Sequence, residues 1–121
     1  MVNWSASLPT FDAENVSHRA QACPVTIVFV WAAWDPVCQM LDRKLYLAQS
    51  DYPHSHFFAM NLDQSQNWPL ARKWGVQDTR VLACLFSGSL HELAVVQGRD
   101  VSAKAKLADW NKLAEKQKET R

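Results

Sequence analysis

The sequence predicts a mixed α/β fold in which helices cover both faces of one sheet, and three observations predict it. Val25–Trp31 is an almost unbroken β-branched and aromatic run, which is typical of a central strand buried on both faces. Asp35-Pro36 follows directly and indicates a helix start, because Asp caps helices and Pro suits the first helical position. Two later apolar runs, 81–86 and 90–96, predict an antiparallel hairpin. A parallel first half joined to such a hairpin makes a mixed sheet of four or five strands.

The other elements follow from their boundary residues. Thr10 or Asp12 can cap a first helix that runs to about Ala22, and Cys23-Pro24 ends it. The helix that opens at Pro36 is expected to reach about residue 50, where Tyr52-Pro53 breaks the pattern. The remaining predicted elements are a strand over 56–62, a helix over 68–74 closed by Gly75, a tight turn over 87–89 and a last helix over about 101–118.

Length and composition limit the classes of function. With 121 residues, 48% of them hydrophobic, the chain is expected to form one domain, with a core over about 12–113 and a polar end over 114–121. A net charge of +1 argues against strong electrostatic binding by the whole molecule. Three irregularly spaced cysteines indicate a reducing compartment rather than a disulfide framework. No secretory signal is predicted, and the longest apolar stretch, 25–34, is too short for a membrane span.

One segment carries a resemblance to a known family. Val30-Trp31-Ala32-Ala33-Trp34, followed by a helix-opening Pro and then Cys38, resembles the active-site segment of thioredoxins. The predicted order of helices and strands is also the thioredoxin order. Further similar segments are 62–64 and 74–76, and the resemblance spans about residues 12–113.

Three departures from thioredoxins predict the loss of their redox chemistry. Thioredoxins place an attacking cysteine at the helix N-terminus, where backbone N–H groups and the helix dipole lower its pKa. Here that position is Asp35, which cannot attack a disulfide. Phe29 stands where thioredoxins keep a buried aspartate, and 78–81 contains no proline where they have a cis-proline. We therefore expect no dithiol oxidoreductase activity.

A closer resemblance is to the DIM family of spliceosomal thioredoxin-like proteins, which are components of the U-five snRNP. That family carries a Trp-Asp-Pro-x-Cys-x-x-x-Asp-x-x-Leu-Tyr segment, and every fixed position is matched here by Trp34, Asp35, Pro36, Cys38, Asp42, Leu45 and Tyr46. The resemblance implies a non-catalytic scaffold in pre-mRNA splicing, with splicing-factor proteins as partners, no cofactor and no small-molecule substrate. It implies a nuclear location, with the cytoplasm as the alternative. Family members can carry a cysteine just before the fourth strand, where this chain has Arg80.

Five residues are therefore candidates for a protein contact: Trp34, Asp35, Pro36, Asp42 and Arg80. Three of them have a plainer interpretation beside the functional one. Trp34 can be core packing, although a surplus tryptophan is a common interface anchor. Asp35 can be only a helix cap, and Asp42 is expected on a solvated helix face.

The thiols and imidazoles leave further alternatives open. Cys38 as a single reactive thiol would make the chain a monothiol redox protein. The interpretation as a small buried side chain is favoured, because a neighbouring carboxylate disfavours the thiolate. Cys84 is expected to be structural, and His54 and His56 have no third ligand nearby, so no metal site is predicted.

The lysines of the last helix are interpreted as its solvated face, so direct RNA contact is not expected. Besides the splicing scaffold and the monothiol redox protein, a third hypothesis for the function is an interaction module of an unrelated complex.

Overall fold

Four strands form one mixed sheet in the computed structural model, which describes residues 8–11, 25–86, 89–96 and 104–119. The strands are β1 (Val25–Trp31), β2 (His56–Asn61), β3 (Val81–Phe86) and β4 (Ser89–Val95), and the helices are α1 (Pro36–Ala48), α2 (Trp68–Trp74) and α3 (Lys104–Glu119). Short 3₁₀ turns cover Gln49–Asp51 and Ser65–Asn67. The strand order is β2-β1-β3-β4, which confirms the predicted mixed sheet. The helix predicted up to residue 22 and most of the predicted turn at 87–89 lie outside the described residues.

Strand β1 is the centre of the sheet. It runs parallel to β2 and antiparallel to β3, and all seven of its residues are buried. Successive side chains point to opposite faces, so Ile27 and Phe29 enter one core while Val28 and Val30 enter the other. Both faces therefore need apolar residues, which explains the unbroken apolar run in the sequence.

The two cores place helices on both faces. On one face, α1 and α3 pack with a shared set of buried side chains that includes Leu41, Leu45, Leu107, Trp110 and Ala114. On the other face, the short helix α2 contributes Ala71 and Trp74, which pack with Phe11 and Phe58.

Helix α1 begins as predicted and ends slightly earlier. Asp35 is its N-cap, and its Oδ1 accepts a hydrogen bond from the Val37 N–H at 3.1 Å. The α-helix ends at Ala48 and tightens into the 3₁₀ turn, a common way to close a last helical turn. At the end of α2, Gly75 adopts φ 81°, so the left-handed closing residue predicted from the sequence is confirmed.

A short entry segment, 8–11, extends the sheet beyond β2. Ala59 donates its N–H to the carbonyl of Pro9 at 2.8 Å and accepts from the Phe11 N–H at 2.9 Å. The sequence did not predict this pairing, because the segment has no strand-like alternation. Among the described helices, none combines the length and apolar character that crossing a bilayer requires.

Candidate functional site

The candidate site lies at the carboxyl end of β1, where three loops meet. One loop connects β1 to α1 and carries Trp34 and Asp35. A second connects β2 to α2 and carries Asp63. The third connects α2 to β3 and carries Thr79 and Arg80. Hydrogen bonds between side chains of one loop and groups of another hold the three together.

Asp35 is the polar centre of this site, with a side chain only 3% exposed. Its Oδ2 accepts from the Thr79 hydroxyl and from Arg80 Nε, both at 2.8 Å. Its Oδ1 accepts from Arg80 Nη2 at 3.0 Å, in addition to the capping bond from Val37. Two guanidinium nitrogens thus bind the two carboxylate oxygens, the bidentate arrangement that gives a strong ion pair.

This pairing shifts the pKa values of both groups. The Arg80 hydrogen bonds hold the pKa of the Asp35 carboxyl at about 2, below its ordinary value of 3.8, although burial acts in the opposite direction. The Thr79 hydroxyl and the Val37 N–H also favour the charged carboxylate. In return, the Asp35 carboxylate raises the pKa of Arg80. The site therefore holds a paired charge over the whole physiological pH range.

The backbone of Arg80 adopts an unusual conformation, with φ 64° in the left-handed region. A long side chain is uncommon there, because its Cβ crowds the neighbouring carbonyl oxygen. The conformation is held on both sides, since the Arg80 N–H donates to Val30 at 2.9 Å and its carbonyl accepts from Val96 at 2.8 Å. Such strained residues persist where their surroundings determine them, and they concentrate at functional sites.

Cys38 lies one turn into α1 and is fully buried in the core. Burial raises the pKa of its thiol to about 11, and the charge of Asp35 acts in the same direction. A thiol with this pKa is almost wholly protonated at neutral pH and is a poor nucleophile. The interpretation of Cys38 as a small buried side chain therefore fits its position. Cys84 is likewise buried, and burial raises its thiol pKa to about 12.

Trp34 stands at the surface of the site, 68% exposed, whereas Trp31 is buried. The turn that carries Trp34 is tied to the neighbouring loop, since the Ala33 N–H donates to Asp63 Oδ2 at 2.8 Å. At the start of α2, the exposed Trp68 donates its indole N–H to the carbonyl of Leu62 on that neighbouring loop at 2.8 Å. Trp34 and the first residue of α2 are thus two exposed tryptophans, which is uncommon for a residue type that is usually well buried.

The five predicted contact residues do not all meet at this surface. Trp34 and Pro36 are exposed and Arg80 is partly exposed, so these three can reach a partner. The carboxylate of Asp35 is enclosed by its donors, so its predicted direct contact is corrected to a support for Arg80, and its role as a helix cap is confirmed.

The expectation for Asp42 is wrong. Its side chain is 2% exposed rather than solvated, and its Oδ1 accepts from the Leu8 N–H at 3.4 Å. The residue faces the core side of α1 beside Leu41 and Leu45, where the entry segment reaches it. Asp42 therefore bonds to the entry segment and is withdrawn from the surface that a partner could reach.

Sequence reasoning missed two residues that shape the site. Thr79 is buried and bonds to Asp35, and Asp63 ties two loops together through Ala33. Asp63 stands directly after a predicted strand, and side chains at the carboxyl ends of neighbouring parallel strands meet at one edge of a sheet. The position of Asp63 directly after a strand was therefore the sequence signal that could have identified it. For Thr79 the sequence offers none, because its partner lies 44 residues away.

The carboxylate and the thiol of this site are both enclosed by protein. Asp35 is an ionised carboxylate whose oxygens are occupied by hydrogen-bond donors, and Cys38 is the one thiol at the site among the described residues, buried and with a raised pKa. Within the ranges the structure describes, no three His, Cys, Asp or Glu side chains lie close enough together to hold a metal ion. What the site presents to solvent is an indole, a proline ring and part of a guanidinium group.

Comparisons with known proteins identify the fold. No protein-family model matches the sequence, and no curated protein sequence matches it. Solved structures do match. An N21Q mutant thioredoxin from Halobacterium salinarum superposes with a TM-score of 0.68 at 23% identity, covering 91% of this chain and 96% of that one. The oxidised form of mitochondrial thioredoxin 3 from Saccharomyces cerevisiae gives 0.69 at 19% identity, covering 85% and 95%. Thioredoxin f2 from Chlamydomonas reinhardtii gives 0.68 at 12% identity, covering 85% and 94%.

At these identities the likeness shows the fold and nothing finer. The mixed four-stranded sheet and the helices on both of its faces agree with the fold of these thioredoxins. The chain therefore has the thioredoxin-like fold.

Proposed function

We propose that this chain is a non-catalytic thioredoxin-like protein that acts as a protein-interaction scaffold in pre-mRNA splicing. The observation that carries the non-catalytic part is the Asp35–Arg80 ion pair, which occupies the place of an attacking thiol. A bidentate, hydrogen-bonded carboxylate cannot donate electrons to a disulfide. Cys38, the cysteine of the resembling segment, is buried with a raised thiol pKa, which also supports the non-catalytic role.

The splicing part of the proposal rests on the segment 34–46, which resembles the DIM family at every fixed position. The structure adds a physical reason for part of that segment. Asp35 and Pro36 start the helix, and Asp42 and Leu45 face inward from it, whereas Trp34 and Tyr46 remain exposed. Packing does not account for the exposed residues, and a protein contact does. The partners would be splicing-factor proteins, and the location the nucleus, with the cytoplasm as the alternative.

The partner surface in this proposal is centred on Trp34. A large exposed indole that a partner covers fully is a common interface hot spot. Pro36, two residues later, is the exposed first residue of α1, and the partly exposed Arg80 is bonded to Asp35 between them. Direct RNA contact is not part of the proposal, because the Arg80 charge is already neutralised by Asp35.

Affinity purification of the tagged chain from its source cell tests the scaffold role. The wild-type chain is expected to recover splicing proteins, and Trp34→Ala to recover them about tenfold less or worse, the loss of a hot-spot residue. Leu47→Ala is the matched control, because Leu47 is 65% exposed on α1 and lies outside the three loops. Recovery without any splicing protein would contradict the splicing role. Equal recovery by both variants would contradict Trp34 as the contact.

Reduction of insulin disulfides tests the non-catalytic role. We expect no turnover above background, and no difference between the wild-type chain and Cys38→Ser. A thiol reagent at neutral pH should label Cys38 slowly in the folded protein and quickly in urea, because folding buries it. Turnover that disappears in Cys38→Ser would favour the monothiol alternative instead.

A further inference from the structure

The two edges of the sheet differ in whether another segment of the described chain pairs with them. The outer edge of β2 is covered by the entry segment, through the bonds of Ala59 to Pro9 and Phe11. Strand β4 forms the other edge, and in the described part of the chain its one neighbour is β3. An edge strand presents a row of unpaired N–H and C=O groups, which is a template for pairing with another strand.

The register of β4 shows which backbone groups face outward. The Val96 N–H donates to the Arg80 carbonyl, so this pair is hydrogen-bonded, and the ladder continues through Ala94 opposite Leu82. Hydrogen-bonded and non-hydrogen-bonded pairs alternate along antiparallel strands. The N–H and C=O groups of Leu93 and Val95 therefore point away from β3.

The side chains of β4 form an apolar strip on one face of the sheet. Leu93 packs against the core on the α2 side, and Val95 shares that face because side chains alternate with a period of two. Leu90 joins them, since it lies opposite Leu85 of the same core. This strip is open to solvent, with Val95 59% exposed and Leu90 36% exposed.

Charge does not protect this edge. Natural edge strands are commonly guarded by lysine or proline, and β4 contains neither. Its one acidic residue, Glu92, is bound by Lys106 and by the Trp110 indole of its own chain. The net charge of the whole chain is only +1, so two copies repel each other little at long range.

We propose that two copies of this chain associate through their β4 strands, which pair antiparallel about a two-fold axis at Ala94. In this register each Leu93 lies opposite Val95 of the second copy, and these residues exchange their outward N–H and C=O groups. Because the two-fold axis runs perpendicular to the sheet, the α2-side faces of both copies lie on the same side of the joined sheet. The apolar strips of the two copies are therefore neighbours. The two sheets become one continuous sheet. The irregularity between Cys84 and Leu85 bends the start of β4, which confines the pairing to its end.

A partner of the same sequence fits this edge because the contact is self-complementary. No charged side chain of one copy is brought opposite a like charge of the other, since Glu92 faces Val96 in this register. The proposal is independent of the splicing role, because β4 carries none of the residues assigned to the Trp34 surface.

Sedimentation velocity of the full chain, from micromolar to millimolar concentration, tests the pairing. The wild-type chain is expected to shift from monomer to dimer. Val95→Pro should remain a monomer, because it removes an outward N–H without touching the β3 ladder. Val95→Lys keeps that N–H and places a charge in the apolar strip, so its dimer should be at least about tenfold weaker. Leu47→Lys, a charge at an exposed leucine elsewhere, should dimerise like the wild-type chain.

Far-ultraviolet circular dichroism shows whether each variant is folded, and amide exchange supplies a second measurement. Exchange at the Leu93 and Val95 N–H groups should slow as concentration rises, while exchange at Ala94 stays unchanged. A wild-type chain that stays monomeric over the whole concentration range would overturn the proposal. This holds even if β4 can pair with a strand of another protein. A dimer that persists in folded Val95→Lys would also overturn the proposal.

Discussion

Two ion pairs connect separate parts of this molecule, and their surroundings differ. In the first, Asp35 is 3% exposed and receives hydrogen bonds from Arg80, Thr79 and a backbone N–H. In the second, Glu92 and Lys106 are 34% and 47% exposed, and the Trp110 indole is the further donor to Glu92. The first pair joins loops at the end of the sheet, whereas the second joins α3 to β4.

The difference shows what a charge needs in order to be buried. A carboxylate withdrawn from water is costly unless its oxygens are bonded, and the removal of one partner then leaves an uncompensated charge. An exposed pair gains little, because water competes for both ions and salt screens them. We therefore expect the Asp35 pair to matter for folding and the Glu92 pair to matter much less.

The largest effect is expected from Asp35→Ala. This change removes the N-cap of α1, worth about 1 kcal/mol, and leaves the Thr79 hydroxyl buried without its acceptor, which costs about 1–3 kcal/mol more. Urea unfolding should show a loss of about 2–4 kcal/mol in the free energy of unfolding. Asp35→Asn is the matched control, because asparagine also caps helices, and it should lose less. An Ala variant as stable as the wild-type chain would contradict the assigned role of Asp35.

The pH dependence of stability separates the charge of Asp35 from its cap. Its pKa is lowered on folding from 3.8 to about 2, so the charged carboxylate stabilises the folded state fully above about pH 4. This contribution is lost as the pH falls from about 4 to about 2, since the folded protein must then take up the proton. Urea midpoints of the wild-type chain and Asp35→Asn should therefore converge over that interval. A constant gap between the two would show that the charge contributes nothing.

A smaller effect is expected from the backbone of residue 80. Both Arg80→Ala and Arg80→Gly remove the ion pair, but glycine adopts a φ of 64° without steric cost. The Gly variant should therefore melt about 4 °C above the Ala variant in thermal unfolding, the shift that about 1 kcal/mol produces in a domain of this size. Equal melting temperatures would mean that the left-handed conformation is not strained.

The smallest effect is expected at the exposed pair. Glu92→Gln keeps an acceptor for the Trp110 indole and removes only the charge, so the free energy of unfolding should fall by less than about 1 kcal/mol. The loss should shrink further at high salt, because salt screens exposed charges. A loss as large as that of Asp35→Ala would overturn the contrast between the two pairs.

The sequence predicted the fold well because its signals are local. The apolar run of β1 and the Asp35-Pro36 helix start each depend on neighbours in the chain, and both were found. The Arg80–Asp35 pair was not predicted as a pair, because its partners are 45 residues apart and meet only when β3 lies beside β1.

Asp42 shows a second kind of failure, in which a local signal was present but was read by residue type. The structure buries Cys38, Leu41, Asp42 and Leu45, whose spacing of three, four and seven residues places them on one helical stripe. The preference of Asp for solvent outweighed the pattern, and its partner, the Leu8 N–H, is not visible in sequence.

The turn that carries Trp34 is held at both of its flanks. The Ala33 N–H is bonded to Asp63, the Asp35 N–H donates to Ala32 at 3.2 Å, and the Asp35 side chain is bonded to Arg80. Little backbone freedom is left for binding to remove. A partner that covers the indole therefore meets a preorganised contact and loses mainly the rotamer entropy of one side chain, about 0.5–1.5 kcal/mol. The rigidity of this loop would therefore lower the entropic cost of the proposed association.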